Sequence, residues 1–369
     1  MKMPNILQKH KFDYVLFISI IFLVVFGVIM VYSASYYSAE LNYGDKMFFA
    51  KKQIVGAVIG LACMIGISFV NYNFLQKIKW VLLVLSLLLL GAVFLPVVGV
   101  TNYGATRWIN LGVTTMQPSE IAKFAFVVFS ASYLSKNYTK VKNFLGTLPV
   151  IVCGAIICLL IILEPNMSIT ICVAITMFVM LIVGGAKIKH LAILMIPLIF
   201  AAIFLAIKEP YRLKRLMAFV DPWSSAKEEG FQLVQSLYAV GSGGWFGVGL
   251  FASRQKYLFL PFAESDFIFS IIAEEWGFIG CICLSLVYLV VILRGINIAK
   301  NAKDRFGCYL ATGITAVIAV QFLMNVAVVT GSIPPTGLPL PFISAGSTSL
   351  VVFMSAIGVL QNIHKQSRA

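Results

Sequence analysis

Pro261-Phe-Ala-Glu-Ser-Asp266-Phe-Ile-Phe-Ser-Ile-Ile-Ala-Glu274-Glu275-Trp-Gly-Phe-Ile-Gly280 is the stretch on which the reading turns. It runs carboxylates from a polar segment straight into a long apolar one. Of 369 residues, 60% are hydrophobic and 11% are charged, so ionisable groups beside apolar runs are scarce. Ionisable groups at membrane depth are costly and are kept where they are used. Asp266 is therefore the candidate centre of a site at a membrane surface.

Apolar runs of spanning length recur along the whole chain, the pattern of an all-α polytopic membrane protein and not of a soluble globule. Windows of about 20 apolar residues predict about ten transmembrane helices, near 14–35, 51–70, 80–98, 118–135, 147–163, 167–183, 191–207, 267–293, 307–330 and 342–362. The expected organisation is one integral domain over 1–369 with a long outer loop at about 208–266. The two halves show no repeat. The first run follows Lys2, Lys9 and Lys11 but is long for a signal peptide and lacks a small-residue cleavage pattern, so it reads as a retained span.

A net charge of +14 raises nucleic-acid binding. The basic residues instead sit in short segments between spans, where they orient a protein in the bilayer. With the N-terminus inside, the inner segments hold Lys2, Lys9, Lys11, Lys77, Lys79, Lys136, Lys140, Lys142, Lys187, Lys189, Arg294, Lys300, Lys303, Arg305, Lys365 and Arg368. Short outer loops hold little beyond Lys46 and Arg107. Both termini are expected in the cytoplasm. Glu40, Asp45, Glu164, Glu209, Asp221, Glu228, Glu229, Glu264 and Asp266 fall outside, while His10, His190 and His364 fall inside. Acid–base chemistry at the outer face would thus rest on carboxylates. Cys63, Cys153, Cys158, Cys172, Cys281, Cys283 and Cys308 lie in or beside apolar runs and read as packing residues, with no disulfide or metal-ligand spacing.

Several outer-face constellations could hold an anion. Arg212 and Arg215 are three apart, on one face of a helix. Phe231–Val240 is too short to span and suits an interfacial or re-entrant helix. Gly241–Gly249 is dense in glycine, which permits close backbone approach. Arg254 and Lys256 add two cations just before the acidic stretch. Converging arginines and lysines suit phosphate or pyrophosphate; solvated loop charge and lipid headgroup binding are the plainer readings.

Asp266 can be a helix cap or a base. Glu274 would lie about 12 Å deeper along a straight helix, at about 1.5 Å per residue, and line the same cavity. Glu275 would point the other way. Glu120 and Lys123 share a face in the first turns after Pro118. They read as a helix-fastening ion pair or as a phosphate-reaching lysine steered by a glutamate. Trp108, beside Arg107, suits the aromatic belt or sugar stacking. The Pro/Gly-rich segment 331–349, with Ser344, reads as a rigid loop closing over a cavity. Polar membrane-depth residues gather near the outer face, which favours surface chemistry over transport, whose sites lie near the midplane.

Ala105-Thr-Arg-Trp-Ile-Asn, Gln117-Pro-Ser-Glu-Ile-Ala-Lys123, Phe219-Val-Asp-Pro-Trp223, Gln232-Leu-Val-Gln-Ser-Leu237, Gly243-Gly-Trp-Phe-Gly247, Ser253-Arg-Gln-Lys256, Asp266-Phe-Ile-Phe269, Glu274-Glu275 and Leu340-Pro-Phe-Ile-Ser344 together resemble the shape, elongation, division and sporulation family of peptidoglycan polymerases. The likeness is greater to its division or sporulation branch (FtsW, SpoVE) than to its elongation branch (RodA). Departures from the family pattern stand at Phe262, Glu264, Asn166 and Ser347.

The resemblance implies a glycosyltransferase that polymerises lipid II into glycan strands outside the bacterial cytoplasmic membrane. Asp266 would be its base. Lys123, Arg212, Arg215, Arg254 and Lys256 would hold the pyrophosphate, Glu120 would steer Lys123, and Arg107, Trp108, Glu274 and Ser344 would line the cavity. A divalent cation could share the phosphate role, but no metal-ligand spacing supports one. A class B penicillin-binding protein is the implied partner, alongside other division or sporulation proteins. A lipid II flippase and a non-catalytic scaffold recruiting wall enzymes are the alternatives.

Overall fold

The computed structural model describes residues 12–96, 98–102, 105–110, 112, 115–190, 192, 217–228 and 230–367. Helices dominate. α1 spans Tyr14–Tyr43, α2 Phe48–Phe69, α3 Asn73–Ala92, α4 Pro118–Lys136, α5 Phe144–Leu163, α6 Met167–Val183, α7 Phe231–Ser242, α8 Ile268–Lys300, α9 Arg305–Val329 and α10 Ser347–Lys365. Among the described residues, seven helices are long and apolar enough to cross a membrane: α1, α2, α3, α5, α8, α9 and α10. α4 also fills its expected window but carries Glu120 and Lys123, and α6 is a shorter apolar helix of 17 residues. The window 191–207 lies, save residue 192, outside the described residues, as does most of the first part of the long loop.

Local chemistry sets several boundaries. The Asp13 carboxylate accepts the Leu16 N–H at 3.0 Å, and that of Asp304 accepts the Gly307 N–H at 2.7 Å, capping α1 and α9. Gly44 ends α1 in the left-handed region at φ 66°. Pro118 sits in the first turn of α4, where its missing N–H costs nothing.

Four windows differ by five residues or more: α8 runs on to Lys300 instead of 293, α10 starts at Ser347 instead of 342, and α1 and α3 also depart. α1 runs on to Tyr43 instead of ending near 35, because Tyr32, Tyr36 and Tyr37 continue it into an aromatic cluster with Phe251 and Tyr257. α3 begins at Asn73, not 80, and ends at Ala92, not 98. Its early lysines do not bar the helix, since Lys79 bends to donate to Ser132 Oγ at 3.0 Å. The chain beyond α3, expected as loop, forms a small antiparallel sheet of β1 (Gly99–Asn102), β2 (Ala105–Asn110) and β3 (Thr115–Met116) in that order. Trp108 pairs with Val100 and Ile109 with Met116.

α9 packs against α4, α6 and α8, and α10 lies along α2. The second pair is close because α2 offers glycine. A Cβ on Gly56 would lie 2.8 Å from Ser347 Cα, and one on Gly60 2.6 Å from Met354 Sδ. Small residues that let backbones approach are the usual basis of helix association in lipid, where apolar burial alone gives no drive. The outer helices expose apolar side chains such as Ile18, Phe22 and Val25 of α1 and Leu85 and Leu88 of α3, as a lipid-facing surface requires.

α8 is not a straight helix. Gly277 adopts φ 66° and ψ −168°, which breaks the backbone ladder. The glycine-rich segment after α7 fills the break. Val248 and Gly249 N–H donate to the Glu274 and Glu275 carbonyls at 2.9 and 3.1 Å. Phe278 and Ile279 N–H donate to the Gly244 and Trp245 carbonyls at 2.9 and 3.1 Å. The segment after α7 thus reaches the depth of α8's third turn, and irregular backbone there is tolerated because protein groups satisfy it.

Candidate active site

Asp266 lies in the turn before α8. Phe267, not Asp266, occupies the N-cap position, so α8 starts one residue later than the dipole argument for Asp266 assumed. The backbone around it is held at three successive carbonyls. Ala345 N–H donates to Glu264 O at 2.9 Å, Ser344 Oγ donates to Ser265 O at 2.5 Å, and Asn325 Nδ2 donates to Asp266 O at 2.8 Å. Ser344 Oγ also accepts the Leu340 N–H at 2.7 Å, and Asn325 Nδ2 donates to Leu338 O at 2.7 Å. The loop between α9 and α10 is in turn tied to α2, where Gln53 bonds Ser344 O at 3.1 Å and the Gly346 N–H at 3.1 Å. Asp266 itself stays half-buried with its carboxylate against Gly337.

Just before Asp266, Phe262 takes φ 58°, a left-handed conformation costly for an aromatic residue. Its carbonyl accepts N–H groups from Ser265 and Phe267 at 3.1 and 3.4 Å, so the turn winds about this position. Burial pushes the neighbouring Glu264 carboxyl above the usual range.

Glu120 and Lys123 form a buried pair at 2.9 Å, with Lys123 1% exposed. Lys123 Nζ also donates to Gln321 Oε1, and lies 5.1 Å from the centre of the Phe353 ring. Glu120 Oε2 accepts from Ser349 Oγ at 3.1 Å, and Gln321 Nε2 donates to Pro339 O at 2.9 Å. Gln321 and Asn325 stand one turn apart on the same face of α9. One holds Lys123 to the Pro-rich loop; the other holds Asp266 to it. The two candidate residues are therefore mounted on one scaffold of α9 and loop 338–340.

Other candidates gather elsewhere. Lys256 pairs with Glu275 at 2.9 Å and reaches Ser33 Oγ of α1 at 3.3 Å, all buried. The Glu274 carboxylate turns to the chain at 253–255, accepting from Ser253 Oγ and from the Arg254 and Gln255 N–H groups at 2.9 and 3.4 Å. The Arg254 side chain is exposed, and Trp108 is half-exposed. Arg212 and Arg215 lie outside the described residues.

Arg107 reaches the turn between α5 and α6, donating through Nε to Glu164 O at 3.2 Å and through a terminal nitrogen to Pro165 O. The Glu164 carboxyl is fully buried and neither oxygen has a hydrogen-bond partner. Burial raises its pKa to about 8, against the opposing pull of Arg107.

Gln53, Gln321, Asn325 and Glu164 are site residues that sequence reasoning passed over. Amide side chains inside apolar spans were the available signal, because a polar group there needs a partner. Among the described residues, no three His, Cys, Asp or Glu come together to hold a metal ion.

Residues 14–369 match the model of a protein family described as cell cycle protein, the FtsW/RodA/SpoVE family. The chain belongs to that family. It is 40% identical over 362 residues to stage V sporulation protein E of Bacillus subtilis, covering 98% of this chain and 99% of that one. It is 37% identical to the probable peptidoglycan glycosyltransferase FtsW of Geobacter metallireducens, covering 97% and 96%. The fold of this FtsW/RodA/SpoVE member matches a chain of a peptidoglycan synthase complex with a TM-score of 0.78 at 24% identity, covering 96% of this chain and 97% of that one. It matches Thermus thermophilus RodA with a TM-score of 0.70 at 23% identity, covering 99% and 100%.

Proposed function

We propose that this chain is a peptidoglycan glycosyltransferase that polymerises lipid II at the outer face of the cytoplasmic membrane, with Asp266 as general base. The observation that carries the reading is the clamp on three successive carbonyls, 264 to 266, which fixes the backbone while leaving the Asp266 carboxylate half-buried at the end of the bundle. A sugar hydroxyl is a poor nucleophile until a positioned base takes its proton as the new bond forms. The 4-hydroxyl of one substrate attacks the anomeric carbon of the other, which bears undecaprenyl pyrophosphate. The glycosyl–phosphate bond breaks, and undecaprenyl pyrophosphate leaves as an anion. The hydroxyl proton passes to Asp266.

A phosphate leaving group needs no protonated acid, but it needs cations. Lys123 and Lys256 are each matched to a buried carboxylate. The exposed Arg254 is better supported for that role, with Arg212 and Arg215 as further candidates. The bias of lysine and arginine supports both termini in the cytoplasm and Asp266 outside. A class B penicillin-binding protein is the proposed partner, a reading supported by the fold match to a chain of a peptidoglycan synthase complex.

Purified chain with its cognate transpeptidase should convert lipid II to polymer. Asp266→Asn, folded and inserted, should lose at least about 100-fold in rate. A variant polymerising at the wild-type rate would remove Asp266 from the chemistry.

A further inference from the structure

The end of the bundle remote from Asp266 is unevenly charged. One sector is balanced: Asp13 Oδ2 accepts from Arg294 at 2.7 Å. A second sector is not. There α3, α4, the short turn Lys140–Lys142 and the start of α9 meet. Lys79 reaches Ser132, Gln76 reaches Ser135 at 3.4 Å, and the Arg305 guanidinium lies 3.3 Å from the centre of the Tyr138 ring. These contacts gather Lys79, Lys136, Lys140, Lys142 and Arg305 on one surface. All but Lys79 are exposed.

The acid of this sector, Asp304, is already engaged. Its Oδ1 accepts the Gly307 N–H and its Oδ2 the Tyr72 hydroxyl at 2.9 Å. Among the described residues, none of the five cations has a carboxylate within ion-pair distance.

We infer that this sector is a binding site for the phosphate headgroup of an anionic phospholipid. Stacking on Tyr138 holds the Arg305 fork in place for phosphate oxygens, and the lysines supply mobile point charges. Basic pockets between spanning helices are a recurrent form of such sites. The surroundings favour a lipid over a free anion. The Trp80 ring lies 5.7 Å from Lys79 Nζ and is 58% exposed; acyl chains would cover it and inorganic phosphate would not. A lipid seated here bridges α4 and α9, the helices that carry Lys123, Gln321 and Asn325. The site holds in whichever leaflet this end faces, so it does not depend on the catalytic reading.

The full chain is placed in nanodiscs of phosphatidylcholine alone or equimolar with phosphatidylglycerol. Retained lipid is read by native mass spectrometry after gentle extraction, and the thermal midpoint is measured in both discs. Wild type should retain phosphatidylglycerol and be stabilised by it. Lys136→Gln/Lys140→Gln/Arg305→Gln should retain it at least about tenfold more weakly, each charge contributing a few-fold, with an unchanged midpoint in phosphatidylcholine. Lys136→Arg/Lys140→Arg should bind as wild type does. If the triple variant unfolds, Lys140→Gln alone, in an exposed turn, should still weaken retention about threefold. Equal retention by wild type and the glutamine variants overturns the site. Inorganic phosphate that stabilises the chain in phosphatidylcholine as strongly as phosphatidylglycerol does overturns the lipid assignment.

Discussion

Asp266 Oδ2 lies so close to Gly337 that a Cβ built on residue 337 would stand 2.7 Å from it. The loop between α9 and α10 thus abuts the carboxylate itself as well as the backbone that carries it. Gly337→Ala should be mild for folding, because the atom that must give way is the end of a rotatable side chain. Its effect should fall on the position of the carboxylate. We expect polymer formation from lipid II to drop about tenfold or more, since small misplacements of a reacting group are costly, with a thermal midpoint close to wild type. Normal activity in a folded Gly337→Ala protein would show that the carboxylate does not need this placement.

The buried Glu120–Lys123 pair calls for a double-mutant cycle. Removing one partner leaves an uncompensated buried charge, at a cost of about 3–5 kcal/mol. Lys123→Met and Glu120→Gln should each destabilise by that order. The double variant should lose less than the two together, because no charge is then left alone. Additive losses would mean that the pair is not coupled.

Much of this was legible in the sequence. The apolar windows located the helices among the described residues because spanning lipid demands long apolar runs, and Asp266, Glu274 and Glu275 stood out as charges beside them. What was not legible depends on backbone geometry. The bonds from the 253–255 chain to the Glu274 carboxylate depend on where that loop runs, which spacing along α8 cannot anticipate. The short sheet at Gly99–Met116 forms on top of a helical bundle, where β-prone residues in a loop give little pattern. Asn325 and Gln321 were visible as polar residues in an apolar span, but their partners are loop carbonyls, to which sequence spacing gives no guide.

Glu164 should make stability depend on pH. Burial raises its folded pKa from an ordinary 4.5 to about 8. The folded state therefore holds a proton that the unfolded state has released, and stability falls as pH rises between those values. The contribution is fully present below the lower value and lost once pH has passed the upper one, on the order of a few kcal/mol in all. The thermal midpoint should decline across that window in wild type. In Glu164→Gln, which keeps the shape without a titrating proton, this part of the decline should vanish. An identical pH profile in the two proteins would show that Glu164 titrates normally.

Gly277 and Gly247 meet where the re-entrant segment crosses α8. A Cβ on Gly277 would lie 2.3 Å from Gly247 N, and one on Gly247 2.1 Å from Glu275 O. Both atoms met are backbone and cannot swing aside, and both glycines have φ near the left-handed region, at 66° and 82°. Gly277→Ala and Gly247→Ala should each cost about 3 kcal/mol or more, the strain of the backbone adding to the loss of hydrogen bonds across the break. Gly241→Ala, in the same glycine-rich run but with open space at its Cβ position, is the control and should be tolerated. The measurement is the yield of monodisperse protein after extraction, together with the thermal midpoint. A Gly277→Ala protein as stable as Gly241→Ala would mean that α8 can close into a regular helix without the loop crossing it, and that the segment after α7 is not held at that depth by the backbone.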